Sequence, residues 1–420
     1  MEEIQKTRAI LIGCTADSLE KEKNSDEESM RELCELLATA GGEPIAEATQ
    51  NRTAPDVRTF IGEGKLQEIK ELIENENIEL AVFDNDLSPS QLQNVQEILD
   101  IRVIDRAALI LDIFASRAKS AEGKLQVELA QYSYLLPRLT GMGTSLSRLG
   151  GGIGTRGPGE TKLESDRRHI RARIAKLKEE LKDVQRIRAT ERRKREKSSL
   201  PVAALVGYTN AGKSTLLNTL TGANIQANNR LFDTLDPTTK TFTVSDTLTI
   251  LLTDTVGFIR RLPHHLISAF KATLDELKYA DLVLVVLDAS SEQCEAQREV
   301  VEHLIDELCK PDTPRIYVYN KIDALAKSAQ IKQNDTTVAI SAKEKTGIDR
   351  LKEAVAKALE KKLHTLEIKI PYAKANLVEL LHREASVQTV TYEQDYILVK
   401  ATCSPKTFGT LTKELGSLEK

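Results

Sequence analysis

The chain has 420 residues, 40% of them hydrophobic and 29% charged, with only 4% aromatic residues, no Trp and a net charge of −4. This balance reads as a soluble globular protein of about two to four domains with mostly aliphatic cores. It excludes a membrane-spanning chain, since no apolar run approaches the roughly 20 residues a bilayer requires.

The start, "MEEIQKTRAILIGC", lacks the pattern of a signal peptide. Cys14, Cys34, Cys294, Cys309 and Cys403 are scattered and include no C-x-x-C, which suits free thiols in a reducing compartment. A cytoplasmic protein without membrane insertion is expected, and nothing in the sequence demands more than a monomer.

Residues 1–105 alternate between strand-like and helix-like segments. "RAILIGC", "EPIAEATQ", "LAVFD" and "IRVID" read as strands, and "DEESMRELCELLATAGG", "EGKLQEIKELIENENI" and "SPSQLQNVQEILD" as helices. Such alternation predicts a small parallel α/β subdomain. Its Gly62-Glu63-Gly64-Lys65 lacks a glycine at the spacing a phosphate loop needs and is not read as one.

Residues 106–198 read as an antiparallel helical hairpin. A helical stretch runs from Arg106 to Leu139, with Gly123 as its main internal weakness. A Gly-rich segment follows over about 141–163. A second helical stretch then carries Leu163, Ile170, Ile174, Leu177, Leu181, Val184 and Ile187 as one narrow apolar stripe. Helices of ~34 residues would give an arm of roughly 50 Å. Residues 165–197 hold 14 Lys and Arg against 6 Asp and Glu, so positive charge is concentrated on this arm.

The stretch "LPVAALVGYTNAGKSTLLNTL" opens the third region, 199–363. Gly207, Tyr208, Thr209, Asn210, Ala211, Gly212, Lys213 and Ser214 match G-x-x-x-x-G-K-[ST] between a strand and a helix, the context of a P-loop. Backbone amides there close around phosphate oxygens. Lys213 is expected to neutralise the β/γ-phosphates and Ser214 to ligate Mg2+. "LTILLTDTVG" then ends a strand in Asp254, Thr255, Val256 and Gly257. Asp254 would hold Mg2+ through water, and the Gly257 amide would report the γ-phosphate.

"RIYVYNKID" ends a further strand in Asn320, Lys321, Ile322 and Asp323, and the Asp323 carboxylate can accept both N1–H and N2–H of guanine. Adenine lacks that donor pair, so GTP is the expected substrate. Ser341, Ala342 and Lys343 follow the next strand, where backbone could touch the base edge. Four motifs in this order predict a Ras-like G domain. Position 258, where many GTPases place a water-orienting glutamine, holds phenylalanine. Slow intrinsic hydrolysis that needs help from a partner or another residue follows from that. Residues 364–420 read strand, helix, strand, strand, helix, a small α+β domain.

For the switch threonine, "NNRLFDTLDPTTKTF" offers Thr234, Thr238, Thr239 and Thr241. "FDTLDP", with Phe232, Asp233, Thr234, Leu235 and Asp236, resembles the F-x-T-L-x-P segment of Obg-like GTPases. By that match Thr234 is the Mg2+ and γ-phosphate ligand, with Thr238 second.

"LFDTLDP", "DTVGFIRRLP", "PDVRTFIGEGKLQEI" and "GGGIGTRGPGETKLESDRR" together resemble the HflX family of GTPases, over about 55–350 and weakly beyond. The resemblance implies binding to the large (50S) ribosomal subunit and its 23S rRNA, splitting of stalled or idle ribosomes, and hydrolysis stimulated by that subunit. It points the Gly-rich tip at the peptidyl-transferase region, where Arg148, Arg156 and Lys162 would meet RNA. A regulatory GTPase acting on a protein effector, with the hairpin as docking module, is the alternative.

Overall fold

The computed structural model describes residues 6–19, 25–139, 158–197, 200–223, 231–232, 238–245, 248–261, 275–325, 331–360, 364–403 and 405–416. The chain divides into two compact units. One comprises Met1–Val184, Arg230–Leu235 and Ile259–Lys271, the other Gln185–Asn229, Asp236–Phe258 and Ala272–Lys420.

The first unit is built on a parallel sheet of β1 (Thr7–Ala16), β2 (Gly42–Arg52), β3 (Leu80–Phe83) and β4 (Arg102–Asp105), in the order β2-β1-β3-β4. All of β3 is buried, as is the middle of β1, which explains their unbroken apolar runs. Local chemistry sets the helix ends. Asp26 accepts the Ser29 amide at the start of α1 (Glu27–Thr39). Ser88 and Gln91 form a capping box on α3 (Pro89–Leu99). Asn77, just past α2 (Glu63–Glu76), and Asp100, just past α3, adopt left-handed backbone as C-caps.

The helical stretch expected from Arg106 to Leu139 is two helices. α4 (Arg106–Arg117) is capped by Asp105 and packs with α1, β3 and β4, as the last helix of the α/β layer. The chain turns extended at Ala118, and Ser120 accepts the Gly123 amide to start α5 (Ala121–Arg138). α6 (Pro158–Lys197) has 40 residues against 18 in α5, so the two helices are not of similar length. Arg173 of α6 makes a bidentate pair with Glu128 of α5, at 2.7 and 2.8 Å. Of the apolar stripe on α6, Leu177 and Leu181 are buried, whereas Ile187 is exposed.

The second unit contains a six-stranded sheet, ordered β10-β9-β8-β5-β7-β6. Its strands are β5 (Val202–Gly207), β6 (Thr238–Ser245), β7 (Leu248–Asp254), β8 (Leu282–Asp288), β9 (Arg315–Asn320) and β10 (Thr337–Ala339). Every pairing is parallel except that of β6 with β7. α7 (Lys213–Thr221), α8 (Cys294–Leu308) and α9 (Ile348–Glu360) complete this Ras-like domain.

The C-terminal residues follow the expected strand and helix order. β11 (His364–Pro371), β12 (Ala385–Tyr392) and β13 (Tyr396–Cys403) form an antiparallel sheet with β13 central. α10 (Asn376–Glu384) and α11 (Pro405–Leu415) bury Leu377, Leu381 and Leu411 in the core with it. Among the described residues, no helix is long and apolar enough to cross a membrane.

Candidate nucleotide site

The G domain brings its motifs to the C-terminal edge of the parallel strands, where open α/β sheets place ligands. β5 ends at Gly207, and a Cβ there would lie 2.1 Å from the Val286 carbonyl oxygen, so only glycine lets β5 and β8 meet. The loop then turns through left-handed backbone at Asn210 (φ 61°) and Gly212 (φ 91°) before α7 begins. The Lys213 ammonium is buried and donates to the Gly207 and Tyr208 carbonyls at 3.0 and 2.8 Å. Burial pushes its pKa down to about 8, against the opposing pull of Asp254. The Ser214 hydroxyl donates to Asp254 Oδ2 at 2.8 Å.

Asp254 ends β7 fully buried, and Thr255 is held by its hydroxyl on the Leu205 carbonyl at 2.7 Å. Val256 is buried, and Gly257 presses on the P-loop. A Cβ on Gly257 would stand 2.8 Å from Thr209 Cγ2, 2.9 Å from Thr209 Cα and 3.0 Å from Lys213 Nζ. Phe258 is buried and clasped to the loop through its backbone. Its N–H donates to the Gly207 carbonyl at 3.2 Å, and its carbonyl accepts the Thr209 N–H at 2.7 Å.

The N-K-I-D motif sits at the end of β9. Asn320 is buried and joins two loops, its Nδ2 donating to the Ala211 carbonyl and its Oδ1 accepting the Ala342 amide, each at 2.9 Å. Lys321 takes left-handed backbone and pairs with Asp288 at 2.6 Å. The Ile322 N–H reaches the Ile340 carbonyl. The Asp323 carboxylate accepts the Ser341 hydroxyl at 2.6 Å, and that bond, with Lys343 and Lys321 nearby, holds its pKa below the usual range. It stays ionised and open toward a base.

Phe232 is buried, edge-on to Phe114 with ring centroids 4.6 Å apart, and both rings belong to the first unit. Thr238 begins β6 opposite Asp254, and Thr239 bonds Thr253 at 3.0 Å. Thr241, also in β6, is exposed. Asp233, Thr234, Leu235, Asp236, Arg148 and Arg156 lie outside the described residues, as does the side chain of Lys162.

Sequence reading missed Arg260 and Arg261, just past Phe258. Both enter an acidic cluster of the first unit. Arg260 pairs with Glu28 at 2.9 Å, and Arg261 pairs with Asp84. Asp84 also meets the buried Arg106 at 2.8 Å, and Arg106 pairs with Glu32. "FIRRLP" exposes the two arginines to view, but nothing local signals their partners.

A ligand that used both ends of this sheet edge at once would carry phosphates at one end and guanine at the other. That makes the domain a P-loop GTPase, an enzyme that hydrolyses GTP to GDP and phosphate. Residues 202–321 match the family described as 50S ribosome-binding GTPase, residues 27–115 the GTP-binding GTPase N-terminal family, and residues 117–195 the GTP-binding GTPase middle region. The GTPase HflX of Caldanaerobacter subterraneus subsp. tengcongensis is 47% identical over 97% of this chain and 94% of its own. That of Escherichia coli strain K12 is 41% identical over 89% of each. The chain belongs to the HflX family of GTPases. A GTP-binding protein from the archaeon Sulfolobus solfataricus, solved with GDP, is similar at 25% identity over 84% of this chain and 99% of that one, with a TM-score of 0.45.

Proposed function

We propose that this GTPase acts in the cytoplasm on the large (50S) ribosomal subunit, engages its 23S rRNA, and splits stalled or idle ribosomes, with the subunit stimulating hydrolysis. The observation that carries the reading is Phe258, whose side chain cannot hydrogen-bond an attacking water and whose backbone is tied to the P-loop at 2.7 and 3.2 Å. A site complete for GTP binding but without a water-orienting polar group there is suited to activation by a partner. The match of the G domain to a 50S ribosome-binding GTPase family supports a ribosomal partner. The excess of Lys and Arg along 165–197 favours a polyanionic surface.

Lys213 binds the β/γ-phosphates, the loop amides cradle them, and the Gly257 amide senses the terminal group. Mg2+ is the expected cofactor. Ser214 and Asp254 present hard oxygen donors of the kind it takes, so the residues present fit it. Ser214 and Thr234 would ligate it directly, and Asp254 through water. When bound, it supplies positive charge to the phosphate oxygens. Asp323 reads guanine, and Asn320 holds the phosphate and base loops in register.

The test is GTP turnover with and without purified large subunits, with ATP as control. Strong stimulation together with co-sedimentation in a non-hydrolysable GTP analogue is expected. Neither effect, with capture of a protein partner in the absence of RNA, would favour a protein effector instead.

A further inference from the structure

Hydroxyl groups around the nucleotide site are almost all engaged within the protein. Ser214 donates to Asp254, Thr255 to the Leu205 carbonyl, and Ser341 to Asp323. Thr239 and Thr253 bond each other. Thr209 carries a buried hydroxyl that is not so engaged. It is only 6% exposed, and among the described residues its Oγ1 is buried with no hydrogen-bond partner. A buried hydroxyl left unpaired is costly, and such groups in folded proteins call for an explanation.

Its place in the loop supplies one. Thr209 is the third residue of the P-loop, beside the glycine that senses the terminal phosphate and the lysine that neutralises it. Thr209 Cα, Thr209 Cγ2 and Lys213 Nζ all lie within 3.0 Å of the point that a Cβ on Gly257 would occupy. The Thr209 amide already donates to the Phe258 carbonyl, so the side chain is what this residue has left to offer a ligand. Phe258 itself brings only hydrocarbon to the same corner.

We propose that the Thr209 hydroxyl is a catalytic group for GTP hydrolysis, its Oγ1 donating a hydrogen bond to a non-bridging oxygen of the terminal phosphoryl group. The proposal rests on the reading of this loop as the phosphate site of GTP. In the reaction, the oxygen of water forms a new bond to the γ-phosphorus. The bond to the β,γ-bridging oxygen breaks, and its electron pair leaves on GDP. One proton of the water passes to the departing phosphate. Thr209 is unchanged at the end and stabilises charge on the transferred group throughout.

The experiment compares the full chain with Thr209→Val, which keeps the shape and removes the hydroxyl, and Thr209→Ser, which keeps the hydroxyl. Single-turnover GTP hydrolysis, GDP affinity and thermal unfolding of the nucleotide-free protein are measured. Thr209→Val is expected to slow hydrolysis by roughly 10- to 100-fold, with GDP affinity within about twofold because the loop amides that hold GDP are untouched. Its melting temperature should be equal or higher, since an unpaired hydroxyl becomes a methyl. Thr209→Ser should hydrolyse within about threefold of the unaltered chain, because it retains the donor. Hydrolysis by Thr209→Val at the unaltered rate, or equal slowing in both variants, overturns this proposal alone. Failure of the unaltered chain to hydrolyse GTP, even with large subunits, overturns the assignment of the site and this proposal with it.

Discussion

At the scale of single residues, the site makes two sharp predictions. Burial holds the Lys213 pKa down at about 8, and in the phosphate-binding role proposed for it the charged form is the one that binds. Below that pH the ammonium is already present, and above it each binding event must recruit a proton. GDP affinity should therefore be nearly flat below pH about 7, fall by about twofold by pH 8, and approach a tenfold loss per unit well above 8. Equilibrium titration with a fluorescent GDP analogue across that range checks it. Asp323 carries the second. Replacing it with Asn exchanges one acceptor oxygen for a donor facing the guanine N–H groups. GTP affinity should drop by roughly 100-fold or more, and xanthosine triphosphate, which presents an acceptor in place of the guanine amino group, should bind better than GTP. Both residues were legible in the sequence because G-x-x-x-x-G-K-S and N-K-I-D are local spacings after strands. Thr209 was legible as a loop member only. Whether its hydroxyl finds a partner depends on neighbours brought by Gly257 and Lys213 in three dimensions.

At the scale of elements, the N-terminal sheet depends on a charged cluster rather than on apolar packing alone. Arg106 begins α4 with its guanidinium almost fully buried between Asp84, at the end of β3, and Glu32 of α1. Truncating one partner of such a group leaves buried charge unpaired, which costs about 3–5 kcal/mol. Arg106→Ala should lose protection in β3 and β4 by that amount in native-state hydrogen exchange. Burial alone would raise the Asp84 carboxyl, but Arg106 and Arg261 outweigh it and hold the group below its ordinary value. The stability it contributes is thus complete above pH about 4 and lost as pH falls through the lower folded-state value. Acid unfolding monitored at the β3 amides should begin below pH 4 and be blunted in Asp84→Asn. The sheet itself was legible from its apolar runs. Its clasp was not, since Arg260 and Glu28 lie 232 positions apart. The break between α4 and α5 was partly legible. Ser120 is a good N-cap, yet helical residues on both sides masked it.

At the scale of the whole molecule, the order of modules was read from composition and punctuation: strand and helix alternation, a long charged segment, a nucleotide domain, a short α+β tail. The grouping of Ile259–Lys271 and Arg230–Leu235 with the N-terminal residues did not follow, because it rests on ion pairs and on the Phe114–Phe232 contact between distant segments. The charge distribution also belongs to this scale. If the basic segment meets RNA, binding to large subunits should weaken linearly in log–log plots against salt. Replacing Arg156 and Lys162 with Ala should then lower affinity and reduce the slope by about one for each phosphate no longer neutralised. Sedimentation with large subunits at stepped ionic strength measures both, and an unchanged slope would remove these two side chains from the RNA interface.

Asn320 has a consequence for ligands smaller than GTP. One amide group fastens the loop that meets phosphate to the loop that meets the base, so neither half can be organised without the other. The site is then a chelator with two teeth on a shared root. Pyrophosphate alone and guanosine alone should each be feeble ligands, and each should bind better in the presence of the other. The covalent ribose between them raises the effective concentration of each half for the other. Cutting the amide, as in Asn320→Ala, should bring the affinity of GDP closer to that of its separated parts.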